Sequence, residues 1–402
     1  MPTFSYVART RTGSQKKGTI NADNRQAATV QLTQQGLKIE SISERAGRGN
    51  TSKLNRRVKT TDLLVFTRQL STIVSAGLPL MQGLDILADQ TDDPNFTKII
   101  EAVGQEVESG ETFSDSLRKF PKAFPDLYIS MVRSGEASGD LDGVLTQLAD
   151  YLEASEELKR RIKSAMTYPV VAFSMIILIA TGLIVWVVPQ FAEIFSALGG
   201  TLPAPTRILI GLSWFLRQWF GAPLIVAAII GFVFALRAYG ATEAGRFQLD
   251  ALSLRLPVFG PLTRKVCISR FTRTLSTLTR SGVAILQALE IVERTAGNEV
   301  YAKAIRQAAD SVRNGDTLAE PLARAEVFPA MVTRMIAVGE KTGALEGMLM
   351  KISEFYDAEV KAMVDSLTSL IEPILIGLMG IVVGGIVIAL FMPILMLSSL
   401  VN

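Results

Sequence analysis

The chain has 402 residues, 49% of them hydrophobic and 20% charged, with a net charge of +3 at neutral pH. A mean hydropathy of +0.31 indicates membrane helices combined with sizeable water-soluble parts, and the near-neutral charge gives no sign of nucleic-acid binding. With no histidine and one cysteine, the chain excludes histidine-dependent catalysis and an intrachain disulfide.

The N-terminal region predicts a small α+β segment over residues 1–44. Residues 4–7 alternate like a strand, residues 24–35 predict a helix, and residues 37–39 predict a second strand. The first residues do not follow the pattern of a signal peptide, so we expect this segment to stay on the side of the membrane where it is made. The polar, basic composition of residues 45–60 predicts a solvated linker, which we favour over a contact with anionic lipid heads.

The rest of the chain contains an internal repeat. Phe-Thr-Arg-Gln-Leu-Ser-Thr at Phe66 returns as Phe-Thr-Arg-Thr-Leu-Ser-Thr at Phe271, and a Gly-Glu-x-x-Gly-x-Leu segment begins at both Gly135 and Gly339. Apolar residues recur at helical spacing, which predicts a bundle of about six helices in each repeat. The predicted helical domains cover residues 61–168 and 239–370.

Three apolar stretches predict transmembrane helices at residues 169–189, 218–238 and 371–397. Lysine and arginine are concentrated beside the two repeats, while the loop at residues 190–217 holds only Arg207 and Arg217. The positive-inside rule therefore predicts that the N-terminus and both repeats are cytoplasmic, and that the loop and the C-terminus are external. The expected fold class is an all-α membrane protein with two homologous cytoplasmic helical bundles, three transmembrane helices and the small N-terminal segment.

The repeated Gly-Glu-x-x-Gly segments are the first candidate functional residues. In one interpretation they are interhelical turns, with positive φ at the first glycine and with Ser138 or Thr342 helping to start the next helix. In the other interpretation, the exposed glutamates bind a partner protein. We favour the interpretation as interhelical turns. A phosphate-binding loop is excluded, because a glutamate replaces the glycine that must precede Lys-Thr. The residues concerned are Gly135, Glu136, Gly139, Gly339, Glu340 and Gly343.

Other candidates lie beside the apolar helix faces and at the ends of the spans. Arg68 and Arg273 lie two residues after the repeated Phe66 and Phe271. For each arginine we expect an intradomain salt bridge rather than a contact with a partner. Tyr168-Pro169 and Glu372-Pro373 are expected to open the first and third spans, because proline is tolerated in the first turn of a helix. The sequence indicates no catalytic residue, cofactor site or metal site.

These residues resemble the type II secretion F family, which includes the inner-membrane platform proteins of type IV pili. The similarity covers nearly the whole chain and rests on the two repeated motifs, on the basic approach to Pro169, and on Phe4, Tyr6 and Ala8 near the N-terminus.

The resemblance implies a non-enzymatic scaffold in the bacterial inner membrane. Its expected partners are a hexameric cytoplasmic assembly ATPase, pilin or pseudopilin subunits, other components of the machine, and a second copy in a dimer. It leaves open whether the machine builds a pilus, secretes proteins or serves competence. A permease or transporter subunit is the alternative, but the spans hold no ionisable residue at mid-membrane.

Overall fold

The computed structural model describes residues 3–9, 15–21, 29, 38–45, 57–197, 203–218, 220–257 and 259–400. Two compact units emerge: residues 1–59 with 84–125, and residues 60–83 with 126–402.

The N-terminal region contains a three-stranded antiparallel sheet in the order β2-β1-β3. The strands are β1 (Thr3–Arg9), β2 (Gln15–Asn21) and β3 (Lys38–Arg45). Strand β1 is central, and its pairing with β3 is irregular between Val7 and Ala8. The predicted strands at residues 4–7 and 37–39 fall on β1 and β3, whereas β2 was not predicted. The helix predicted at residues 24–35 lies outside the described residues, apart from residue 29.

Six helices form the first repeat, and six in the same order form the second; the four inner helices of the two repeats have equal lengths. In the first they are α1 (Thr60–Ser75), α2 (Leu80–Gln90), α3 (Pro94–Glu108), α4 (Phe113–Arg118), α5 (Asp126–Ser138) and α6 (Leu141–Gly182). In the second they are α11 (Phe259–Arg280), α12 (Ile285–Thr295), α13 (Glu299–Arg313), α14 (Ala319–Arg324), α15 (Ala330–Thr342) and α16 (Leu345–Leu400). The predicted pair of homologous helical bundles is confirmed.

The segment between the repeats is also helical. A π-helical turn, Leu183–Val187, continues α6 and leads into α7 (Val188–Ala197). Three helices follow: α8 (Ala204–Arg217), α9 (Gly221–Gly240) and α10 (Glu243–Arg255). The predicted loop at residues 190–217 is therefore largely helix.

Three helical stretches are long and apolar enough to cross a membrane: Leu141–Phe191, Pro223–Gly240 and Leu345–Met392. In the first and third, the apolar span continues a helix that begins in the soluble repeat. Ile184 and Val188 of the first pack with Ile386 and Leu390 of the third in one apolar cluster. Each repeat is thus joined to a span by a continuous helical stretch.

The motif phenylalanines belong to the core. Phe66 and Phe271 are buried, and the ring of Phe271 lies 4.9 Å from that of Phe328. Tyr301 meets Phe328 edge-on at 5.2 Å, an arrangement that aromatic rings favour. The repeated phenylalanine thus serves packing, which explains why it sits on the apolar face of its helix.

Candidate functional site

In the second repeat, the Gly-Glu-x-x-Gly segment forms the close crossing between α15 and α16. Gly339 lies inside α15, where a Cβ atom would come within 2.9 Å of the Leu345 Cα. The left-handed residue is Gly343, with φ of 71°, and it ends the helix. The expectation of positive φ at Gly339 was wrong: the first glycine admits a neighbouring helix and the second turns the chain.

The first repeat has the same arrangement between α5 and α6. A Cβ atom on Gly135 would lie 3.0 Å from the Val144 Cβ, and Gly139 has φ of 76°. Positive φ at Gly135 was therefore also a wrong expectation. The side chain of Asp140 accepts a hydrogen bond from the Gly143 amide at 3.2 Å and so caps α6.

The hydroxyl residues of these segments end helices and do not start them. Ser138 donates to the Ser134 carbonyl at 2.9 Å, and Thr342 donates to the Val338 carbonyl at 2.8 Å. Both bonds run back one turn within their own helix. The predicted role of Ser138 and Thr342 in starting the next helix is corrected accordingly.

Glu340 has an intramolecular role. Its carboxylate accepts hydrogen bonds from the backbone amides of Leu318 and Ala319, at 2.5 and 3.0 Å, where α14 begins. These amides have no partner inside their short helix, so the carboxylate satisfies them and adds favourable charge at the helix start. Glu136 occupies the matching place in α5 and is likewise half-buried. The geometry favours the turn interpretation of the segment over an exposed docking carboxylate.

The two motif arginines form matched salt bridges, as predicted. Arg68 on α1 bonds Asp150 at 2.8 Å and Glu153 at 2.5 Å on α6. Arg273 on α11 pairs with Asp357 on α16, the counterpart of Glu153. Each pair ties the first helix of a repeat to the helix that carries its span.

The electrostatic surroundings of the two arginines differ. The hydrogen bond that Arg68 donates to Asp150 raises the pKa of Arg68, whose side chain is 40% exposed. Burial lowers the pKa of Arg273, whose side chain is 24% exposed. Ser269 also donates to Asp357 at 2.5 Å. The second repeat thus holds the more buried ion pair.

The prolines at the predicted span entries lie inside helices. Pro169 is buried within α6, and Pro373 is exposed within α16, so neither opens a helix. Tyr168 and Glu372, beside them, are both exposed. The expectation of a helix start at these prolines was wrong, because α6 and α16 run from the soluble repeats into the apolar stretches without a break.

The first and second repeats contact each other through different faces. Face A of repeat 1 comprises Ser130 and Ser134 on α5 and Gln147 and Tyr151 on α6. Face B of repeat 2 comprises Thr274 on α11, the turn at Ser281 and Gly282, and Gln287 on α12. Sequence reasoning missed this contact, because no local pattern marks it.

Hydrogen bonds connect the two faces. The Ser134 hydroxyl donates to the Ser281 carbonyl, and the Ser281 hydroxyl donates to the Gln147 side-chain oxygen at 2.8 Å. Tyr151 and Thr274 hydroxyls lie 3.2 Å apart. Beside these residues, Arg294 bonds Asp126 at 2.7 Å, and the Gln287 amide lies 3.5 Å from the Ser130 hydroxyl. These bonds join α5 and α6 of the first repeat to α11, α12 and the turn between them in the second.

A cavity of about 220 Å³ lies between α6 and α16, and its charged lining includes Glu157, Arg161, Arg273 and Asp357. The lining charges largely pair with one another, as in the Arg161–Glu157 and Arg273–Asp357 contacts. Among the described residues, no group of histidine, cysteine or acidic side chains could hold a metal ion. These features define a helical membrane protein whose matched side chains stabilise its own repeats.

Comparison with known proteins assigns the family. Residues 66–189 and 271–393 each match the family described as Type II secretion system (T2SS), protein F, and residues 1–43 match the N-terminal domain of that protein. The chain belongs to the type II secretion system protein F family.

Relatives of two kinds align over the whole chain. A Type IV pilus assembly protein PilC of Thermus thermophilus is 44% identical, covering 98% of this chain and 97% of its own length. The Myxococcus xanthus protein of the same name is 41% identical over 99% and 96%. A Type II secretion system protein F of Pseudomonas aeruginosa is 37% identical over 100% of both. The predicted family and the predicted repeat are confirmed.

Proposed function

We propose that this protein is the inner-membrane platform of a machine that assembles type IV pili or the filament of a type II secretion system. The observation that carries the proposal is the full-length alignment with relatives named for pilus assembly and for type II secretion. Both sets of names belong to one family, so the proposal covers both machines.

The proposed orientation places the N-terminus and both repeats in the cytoplasm and the C-terminus outside. It rests on the lysines and arginines, which crowd the approach to the first span and the chain after the second. The continuous helices α6 and α16 support it, since each carries a repeat directly into a span and the two spans pack side by side. Reporter fusions after Gly200, Gly297 and Asn402 test it, and an external Gly297 would contradict it.

The proposed mechanism is mechanical. A hexameric cytoplasmic ATPase would move the repeats, and the rigid helices would carry that motion to spans that meet pilin or pseudopilin helices. The protein itself would hydrolyse nothing, and two copies would form the working platform. Unbroken helices from repeat to span, with a fixed contact between the repeats, suit the transmission of force.

The experiment uses the full chain in nanodiscs with the assembly ATPase encoded in the same organism. We expect the two to bind, and expect all ATP hydrolysis to come from the ATPase. A matched sample with an ATPase defective in hydrolysis should bind and show no turnover. Hydrolysis by the purified platform alone, or no binding under any nucleotide condition, would overturn the proposal.

A further inference from the structure

The contact between the repeats leaves one face of each repeat unused. Repeat 1 uses face A and repeat 2 uses face B. In repeat 2 the residues equivalent to face A are Arg334, Val338, Lys351 and Phe355. In repeat 1 the residues equivalent to face B are Gln69, Ala76, Gly77 and Gln82. All eight are exposed in the single chain.

The equivalences follow from the repeat itself. Ser134 directly precedes Gly135, and Val338 directly precedes Gly339. Ser281 precedes the left-handed Gly282, as Ala76 precedes the left-handed Gly77. A head-to-tail contact between two like units always leaves one complementary face open at each end. A second copy of the chain can fill both ends at once.

One pair of equivalent residues changes from polar to apolar on both open faces. In the internal contact Ser134 meets Ser281, a polar pair; at the open faces the equivalent pair is Val338 and Ala76, both apolar. Val338 is 51% exposed and Phe355 is 47% exposed, so both are accessible to a partner surface. At this position an apolar side chain on one open face can therefore pack on an apolar side chain of the other.

The polar edge of the faces also matches. Ser130 lies beside Gln287 in the internal contact. The equivalent pair at the open faces is Arg334 and Gln82, in which the guanidinium can donate to the amide oxygen. Arg334 is exposed and forms no ion pair with any residue that the structure describes.

The spans repeat the same head-to-tail offset. Ile184 of the first span meets Ile386 of the third. Ile184 lies five positions before the last proline of the first span, and Ile388 lies five positions before the last proline of the third. Ile388 is 62% exposed and lies on another side of the third span from Ile386. Both spans enter the membrane from repeats on the same side. A second copy placed with the same offset between neighbouring spans is therefore rotated about an axis along the membrane normal. Such a turn can close into a ring.

We propose that two copies of this protein form a closed ring of four repeats. Face A of repeat 2 in each copy docks on face B of repeat 1 in the other, in the manner of the internal contact. This proposal takes from the proposed platform function only the idea that two copies work together. What it adds is the surface that joins the two copies.

The test is directed crosslinking of the full-length protein in membranes, with Cys267→Ala to remove the native thiol. Two differently tagged chains are co-expressed, one carrying Gln82→Cys and the other Arg334→Cys, and treated with a short bis-maleimide. We expect a covalent dimer that carries both tags. Chains that share the same single cysteine should crosslink far less, because the contact joins unlike faces.

The internal contact supplies the matched control. One chain carrying Ser130→Cys and Gln287→Cys should crosslink within itself, gaining the mass of one linker without forming a dimer. Val338→Glu should lower the yield of the two-tag dimer on the order of tenfold or more, because a charged side chain would replace an apolar one opposite Ala76 in the contact, while the internal crosslink persists.

Two results would overturn the proposal. One is an absence of the two-tag dimer when the internal control forms normally. The other is preferential linking of like positions, 82 with 82 or 334 with 334. Either result leaves ATPase binding by the same chain unaffected, so this failure is distinguishable from a failure of the platform function.

Discussion

Removal of the Glu340 carboxylate should open the start of α14. In the Glu340→Ala protein, the amides of Leu318 and Ala319 lose their acceptor, and both residues are buried, at 1% and 7% exposure. An unsatisfied buried amide costs about 1–3 kcal/mol, and loss of a helix cap typically costs about 1 kcal/mol. Because water can enter this short helix start on local opening, we expect a loss of about 2 kcal/mol.

Hydrogen exchange followed by mass spectrometry on the full chain in nanodiscs measures this directly. A loss of about 2 kcal/mol corresponds to about a 30-fold fall in protection, since each 1.4 kcal/mol is tenfold. The fall should be confined to peptides that contain residues 318 and 319. Glu340→Gln should show a smaller effect, because the amide oxygen still accepts one bond without the charge.

Lys341→Ala is the matched control, since Lys341 is the exposed neighbour of Glu340 on the same helix. It should leave protection at residues 318 and 319 unchanged. Unchanged protection in Glu340→Ala would refute the cap, and would return Glu340 to the candidates for partner docking.

Three further predictions concern the second repeat. Gly339→Ala should destabilise the protein by about 1–3 kcal/mol, because the added Cβ overpacks the helix crossing. Gly343→Asn should cost less than about 1 kcal/mol, because asparagine tolerates the left-handed region. Thermal unfolding of the two variants measures the difference, and equal losses would contradict it. A double-mutant cycle on Arg273 and Asp357 should give a larger coupling energy than the equivalent cycle on the more exposed pair of repeat 1, and equal couplings would contradict the role of burial. Burial raises the pKa of Cys267 to about 12, so its thiol stays protonated at neutral pH and should react with maleimide only after unfolding; rapid labelling of the native protein would contradict this.

Much of the architecture could be predicted from the sequence, because it depends on patterns of neighbouring residues. The apolar stretches, the basic flanks and the repeated motifs predict the spans and the two bundles. Paired left-handed glycines such as Gly77 and Gly282 confirm that the repeats share their turns. Strand β2 could not be predicted, since its polar composition, Gln15–Asn21, carries no alternating apolar signal.

The site residues were harder to interpret, because their roles depend on contacts distant in sequence. Gly135 looks like a turn residue beside polar neighbours, yet it lies in a helix against Val144. Pro169 looks like a helix start, yet α6 passes through it. The contact of Ser134 with Ser281 joins positions that nothing in the sequence connects. Only the packing of whole helices places such residues.

The most direct test of the platform function is deletion of the gene, with complementation by the full chain. The account predicts that surface filaments, or secretion that depends on the type II filament, are lost while pilin or pseudopilin subunits and the assembly ATPase are still made, and that the intact gene restores assembly. Normal filaments and normal secretion in the deletion strain would contradict it.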